Sequence, residues 1–268
     1  MRIANIRLIC FHSVNTLIGR GGRICRTLFL VWNCLWETQA SKKISRAKIA
    51  VFGLGGAGSC AADALARCGV GSLTLIDHRK IMLPDVNSQI LAVHSTVGMS
   101  KVEAAKNRIR DIDENILVHT YETFYNDETA GMFDLRSFDY VVDAMGTLPA
   151  KLLLISRAKE ARVPVISCLD MGNKIDPSRL EITDINRTAV CPAAKAMKAE
   201  LRKRGIRKLK VLYSKERPVR AKIFRRNRNH AAVQSREGNI SFVMGTAGCF
   251  LAGEVVRDIL STGITGRN

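Results

Sequence analysis

The 268-residue sequence has eight cysteines, at 10, 25, 34, 60, 68, 168, 191 and 249, yet no C-x-x-C pair. A structural zinc site therefore has little support. Several of these cysteines lie in apolar segments, where a thiol acts as a small buried hydrophobe. The expected setting is reducing and cytoplasmic, without disulfides. No apolar run approaches the ~20 residues of a membrane span. The five histidines form no metal-spaced pair. Acid is scarce: 24 Asp and Glu stand against 42 Lys and Arg, for a net charge of +18. Such a surplus points to a polyanionic partner, because clustered Lys and Arg gain affinity by releasing its counterions. Aromatic residues make up only 6%, but at 47% hydrophobic the chain can bury a core, which argues against disorder.

What is present begins irregularly. Residues 1–44 carry five arginines and no acid before Glu37, with a short apolar run, "TLFLVWNCLW". They read as an atypical basic extension, compatible with an organellar presequence, a poorly folded appendage or a misassigned start. From Lys48 the pattern is regular. "KIAVFG", "SLTLID", "LVHTYE", "YVVDAM" and "VPVISC" are short β-rich runs. Helical stretches at Ala57–Cys68, Ser100–Ile112 and Leu148–Ala161 separate them. Strand and helix alternating at this pitch predict an α/β, Rossmann-like, mainly parallel sheet with helices on both faces. Residues 45–190 form that expected domain. Residues 191–268 add a basic segment, strongest over 195–228, and a closing helix. In detail, this part predicts a helix at Lys195–Arg204 stopping at Gly205. A strand "KLKVLYS", an exposed loop "FRRNRNHAAVQSREGN", a strand "ISFV" and an apolar helix from Gly245 to Leu260 follow.

Val51–Asp77, "VFGLGGAGSCAADALARCGVGSLTLID", is strand, glycine turn, helix and strand. Gly53, Gly55 and Gly58 fit G-x-G-x-x-G. Glycine lets phosphate approach the backbone, and the helix N-terminus offers free N–H groups to it. Asp77 falls where an acid accepts hydrogen bonds from a ribose. The motif alone leaves open a nicotinamide oxidoreductase or an adenylate-forming enzyme. No Tyr-x-x-x-Lys and no positioned histidine supports the former.

"GLGGAGS", "SLTLID", "VNSQILAVHSTVGMSKVEAAKNRIRDID" and "VVDAMGTLPAKLLLISRAKEARVPVIS" resemble the ThiF/MoeB/HesA, ubiquitin-activating-enzyme-like family. The resemblance runs from about Lys48 to Asp258. "ISCLDMGNKIDPSRLEITDINRTAVCPAAKAMKAELRKRGIRKLKVLYSKERP" and "ISFVMGTAGCFLAGEVVRDI" are similar to its tRNA threonylcarbamoyladenosine dehydratase branch. That resemblance implies ATP and Mg2+ as cofactors, tRNA as partner and a homodimer. A sulfur-transfer or redox partner is a further implication. The implied reaction adenylates the carboxylate of the threonylcarbamoyl group beside the anticodon. Intramolecular attack then cyclises it, with net loss of water.

By the same resemblance Gly53, Gly55, Gly56, Gly58 and Ser59 belong to the nucleotide turn and Asp77 to the ribose. Gln89 closes a motif after the second strand. Lys101 is set against the ATP phosphates and acts, with Asp143, as a catalytic residue. Other positions depart from the family. Asp85 and Ser88 stand where it has Asn and Arg, Arg79 replaces an acid, and Gly146 replaces the second aspartate of "DAID". Each lost charge-stabilising group costs ~3–4 kcal/mol in a dry site. Three function readings stay open: an active dehydratase, a catalytically degenerate tRNA- or nucleotide-binding module, and adenylation of another carboxylate such as a sulfur-carrier C-terminus. Cys191, before a proline-started helix, is a candidate acyl- or persulfide-forming thiol. Cys168, at a strand end, reads as core.

Overall fold

The computed structural model describes residues 38–219 and 238–261. Among the described residues seven strands form one sheet: β1 (Lys48–Phe52), β2 (Ser72–Ile76), β3 (Leu117–Tyr121), β4 (Tyr140–Asp143), β5 (Val165–Cys168), β6 (Leu180–Asp184) and β7 (Lys210–Ser214). Their order is β3-β2-β1-β4-β5-β7-β6. All pairings are parallel except β6 with β7. The α/β reading therefore holds. β2, β4 and β5 are buried along their whole length. That is why they appear as continuous apolar runs rather than alternating ones.

Helices cover both faces. On one lie α1 (Thr38–Ile44), α2 (Gly56–Arg67), α3 (Lys101–Ile112) and α6 (Ser241–Ser261); on the other lie α4 (Leu148–Ala161) and α5 (Pro192–Lys203). Helix α6 rides on α2 at very short range. A Cβ on Gly248 would stand 2.5 Å from the Cys60 Cβ and 2.6 Å from the Ala57 carbonyl oxygen. Val243, Ala247, Leu251 and Val255, each fully buried, recur every fourth residue and form its inner stripe. Truncating Leu251 to Ala would cost about 2–5 kcal/mol.

Some expectations need correcting. "ISFV" is not a strand: the chain is helical from Ser241. The strand Leu180–Asp184 was not foreseen. Within the stretch expected as an extension, Thr38–Ile44 is a helix whose Ile44 is fully buried. Residues 1–37 and most of the expected loop lie outside the described residues. The segment after 191 contributes β7 and α6 to the same sheet and core.

Candidate nucleotide site

β1 ends at Phe52 and the chain turns sharply at Gly53, whose φ is 90°. A side chain there would meet the Ala144 carbonyl oxygen at 2.6 Å. This packs the turn against the end of β4, at the point where the strand order reverses, the usual crevice for a ligand in such sheets. Gly55 caps α2 with extended backbone, and a Cβ on it would meet nothing within 4 Å. Gly53, Gly55 and Gly56 line the cleft, so the start of α2, whose first N–H groups have no intrahelical acceptor, borders it. Gly58 has another purpose: its Cβ would lie 1.9 Å from the Gly53 carbonyl oxygen, so it lets helix and turn touch. Gly56 lets Met244 and the Ser88 carbonyl oxygen approach. Ser59 is buried and donates to the Gly56 carbonyl oxygen (3.4 Å). Neither Gly58 nor Ser59 lines the cleft.

Asp77 follows β2. Its Oδ2 accepts from the Leu54 N–H (2.7 Å) and its Oδ1 from the Arg79 N–H (2.8 Å). The carboxylate therefore pins the glycine turn, and its remaining lone pairs are available to ribose hydroxyls. Phe124 and Tyr125 make a wall beyond it, with His78 edge-on to Phe124 at 4.9 Å. Burial pushes the Tyr125 hydroxyl up to about 12.

Lys101 opens α3 and is 3% exposed. Its Nζ lies 3.4 Å from Asp85 Oδ2. Gln89 Nε2 donates to Asp85 Oδ1 (2.8 Å), and the Met82 N–H donates to Oδ2 (3.0 Å). The carboxylate at 85 thus organises both family-matched residues, Gln89 and Lys101. Ser88 lines the same cleft with a short, uncharged side chain. The Gln89 Oε1 and Tyr125 hydroxyl oxygens are buried with no hydrogen-bond partner among the described residues. Both residues line the cleft, and a polar ligand there is one explanation for such unpaired groups.

Asp143 lies beneath this floor, fully buried. Ser167 Oγ donates to its Oδ2 (2.6 Å), as does Lys151 Nζ (3.1 Å), and the Met145 N–H donates to Oδ1 (3.2 Å). Lys151 Nζ also donates to the Cys168 carbonyl oxygen (2.7 Å). Asp143 therefore fixes the strand-to-loop geometry around Ala144–Gly146 and is not on the cleft surface. Lys151 was not anticipated, although a lysine on the apolar face of α4 between Ala150 and Leu152 is a signal in itself. At Gly146 a Cβ would meet nothing within 4 Å, so the missing aspartate leaves open space. Among the described residues no group of three or more His, Cys, Asp or Glu could hold a metal ion. With Asp143 bonded to Lys151 and Ser167 and no acid at 146, these residues do not fit a protein-built magnesium site.

The nucleotide cleft, of about 270 Å³, adjoins a second cavity of about 510 Å³ running toward α5. The two share a wall of Gly55, Gly56, Met145, Gly146 and Met244. Cys168 lines the second cavity, and burial pushes its thiol up to about 12. Cys191 caps α5, is 7% exposed, and lines neither space. Helix α5 starts at the second cavity, and its basic end leads to Lys210, which opens β7 opposite Ile166 of β5. Lys203–Lys208 therefore stand at the far end of the sheet from the cleft. A different basic stretch, 220–237, lies outside the described residues, and the residues on either side of it meet at Asn173. The Val219 N–H donates to the Asn173 carbonyl oxygen (2.8 Å), and the Gly238 N–H donates to Asn173 Oδ1 (2.8 Å).

A parallel sheet with a glycine turn, a ribose-side acid and a buried lysine at its switch point defines a nucleotide-binding protein of the activating-enzyme type. The chain belongs to the ThiF family, whose model matches residues 32–267. The tRNA threonylcarbamoyladenosine dehydratase of Bacillus subtilis is 37% identical over 224 residues, covering 81% of this chain and 88% of the relative. The Escherichia coli enzyme of the same name is 32% identical over 168 residues, covering 63% of each chain. The solved structure of the E. coli tRNA N6-threonylcarbamoyladenosine dehydratase in complex with ATP superposes with a TM-score of 0.82 at 25% identity. It covers 92% of this chain and 99% of that one. No helix among the described residues is long and apolar enough to cross a membrane.

Proposed function

We propose that this protein is an ATP-dependent dehydratase that cyclises threonylcarbamoyladenosine in tRNA through a carboxyl-adenylate. A carboxylate is a poor electrophile, and the site has to make it a good one. Its oxygen attacks the α-phosphorus of ATP and pyrophosphate leaves, giving an acyl-adenylate. A nucleophilic atom of the same side chain then attacks the acyl carbon and AMP departs with the carboxylate oxygen. One water is lost overall.

In this reading the N-terminal turn of α2 and the bare Gly55 receive the phosphates, Asp77 holds the ribose, and Lys101 supplies positive charge. Arg79, exposed on the wall common to both spaces, adds to it. Magnesium enters as the counter-ion of ATP, not as an ion held by these carboxylates. The observation that carries the reading is the open α2 N-terminus, with Asp77 on one side and a second, larger cavity on the other. An adenylating site needs both spaces side by side.

Transfer RNA is the proposed partner, with basic residues of 195–228 as phosphate contacts that position it; Lys203–Lys208, at the far end of the sheet, can meet only a part of the RNA remote from the cleft. The protein also acts as a homodimer in this reading. Support comes from an exposed apolar band, Met82, Leu83, Val86, Ile90 and Val93, joined by the Asn87–Asn239 hydrogen bond to the start of α6, which exposes Phe242 and Phe250. Sedimentation at micromolar concentration tests this, and a monomer alone counts against it. A cytoplasmic location fits an enzyme of tRNA.

Incubation with ATP, magnesium and threonylcarbamoyl-bearing tRNA, followed by mass spectrometry of the nucleosides, should give the cyclised nucleoside, lighter by one water. The second reading, a binding module, is favoured by one observation: Lys101 is already paired with Asp85. No cyclised nucleoside, with tRNA binding intact, would support it.

A further inference from the structure

We propose that the second cavity is the pocket for the modified base itself, receiving threonylcarbamoyladenosine turned out of its RNA stack with its carboxylate directed toward the nucleotide cleft. The inference rests on the dehydratase reading and assigns the place of its acceptor. Three observations carry it.

The first is size and connection. At about 510 Å³ the cavity lies within the range of small-molecule pockets, and it abuts the nucleotide cleft along Gly55, Gly56 and Gly146. Three of the residues along the boundary carry no side chain, so an acid group in one space can approach a phosphate in the other there. The second is the chemistry of the walls. Met145, Met171, Met197 and Met244 line it, coming from four different parts of the chain. Thioethers are polarisable and shape themselves to flat aromatic rings. Single-stranded RNA is read chiefly by holding such unstacked bases. The third is charge. Among the described residues two cations, Lys151 and Arg79, and one carboxylate, Asp170, whose Oδ1 accepts from the Gly172 N–H, line the cavity. Lys151 is committed to Asp143 and the Cys168 carbonyl oxygen. Arg79, exposed and on the wall common to both spaces, is the cation that meets a substrate carboxylate at the boundary with the α-phosphate.

Ala193 and Ala196 of α5 line this cavity and do not touch the nucleotide cleft. Ala196→Trp and the milder Ala193→Leu should therefore fill it from the surface side. Ala196 is exposed, so the fold should persist, which a thermal melt checks. Calorimetry with MgATP should give the wild-type affinity. Anisotropy with a labelled anticodon stem-loop should show the wild type preferring the threonylcarbamoyl form over the unmodified one by about tenfold. The variants should lose that preference while binding the unmodified RNA equally well. Formation of the cyclised nucleoside should fall by about two orders of magnitude in kcat/KM. Wild-type preference and wild-type turnover in Ala196→Trp would overturn the assignment, as would a wild type that does not distinguish the two RNAs. A wild type that distinguishes them and binds ATP, yet forms no cyclised nucleoside, would instead overturn the dehydratase reading and leave the pocket standing.

Discussion

Lys101 and Asp85 form an ion pair of 3.4 Å at the edge of the nucleotide cleft, with the lysine 3% exposed. A cation at the start of a helix opposes the helix dipole, and the carboxylate offsets that cost. It also engages the lysine's charge, for which an arriving phosphate would have to compete. Asp85→Asn should therefore tighten ATP binding by about tenfold, ~1.4 kcal/mol, the scale of one screened charge near a partly buried site. Lys101→Met should weaken it by at least as much. Calorimetric titration with MgATP measures both. An unchanged affinity in Asp85→Asn would mean that the carboxylate does not compete with the nucleotide.

Gly146 invites the reverse experiment. Its surroundings leave room for a side chain, and its backbone is not left-handed. Gly146→Asp should fold with a melting temperature within about 2 °C of the wild type, as expected for a substitution that strains nothing. It should add a carboxylate on the wall facing bound MgATP. The expected result is a steeper dependence of turnover on magnesium and a higher kcat. A large fall in melting temperature would show that the open space is not available.

The glycines of the turn should separate by function. Gly58→Ala forces a Cβ to 1.9 Å from backbone oxygen and should destabilise the fold by about 1–3 kcal/mol or more. Gly55→Ala meets no atom within 4 Å, so the fold should tolerate it while ATP affinity drops. Paired urea melts and ATP titrations of the two variants test this. Equal loss of stability in both would contradict it.

At the other end of the sheet, Lys210 Nζ reaches Glu254 (2.6 Å) and Asp258 (2.6 Å), and Tyr140 donates to Asp258 (2.6 Å). Burial pulls the Glu254 carboxyl up, but hydrogen bonds from Lys210 and Arg257 carry it below its ordinary 4.5. Its stabilising effect is thus complete above the unfolded carboxylate range and is lost as pH falls through the lowered folded value. Lys210→Met should be less stable at neutral pH and show a flatter loss of stability in acid. Urea midpoints between pH 3 and 7 measure it, and an unchanged slope would show that the cluster does not contribute.

The parallel strands were legible because burial on both faces makes them uninterrupted apolar runs, as in β2 and β4. The glycine turn and Asp77 were legible because their chemistry is local in sequence. β6, by contrast, is an edge strand with only Leu180 buried, so "LEITD" carries no such run. Ile240–Val243 carries β-branched and aromatic residues yet leads into a helix. Packing of Val243, Ala247 and Leu251 against α2 overrides local preference. The departures at 79, 85, 88 and 146 were readable as letters. Their consequences were not, because Asp85 finds Lys101 sixteen residues on and Asp143 finds Lys151 and Ser167 only through the fold. Tyr125, Phe124 and Met244 joined the cleft wall without any sequence signal.

Asn173 holds both margins of the 220–237 stretch with its own backbone and side-chain amide. Six Lys and Arg lie between those margins, against one acid. The clasp fixes the two points at which the described chain stops and resumes. Between two points held this close, closing a longer connection grows only logarithmically harder, so the number of residues joining them is weakly constrained. A change of length between these points would thus leave the order of the strands untouched.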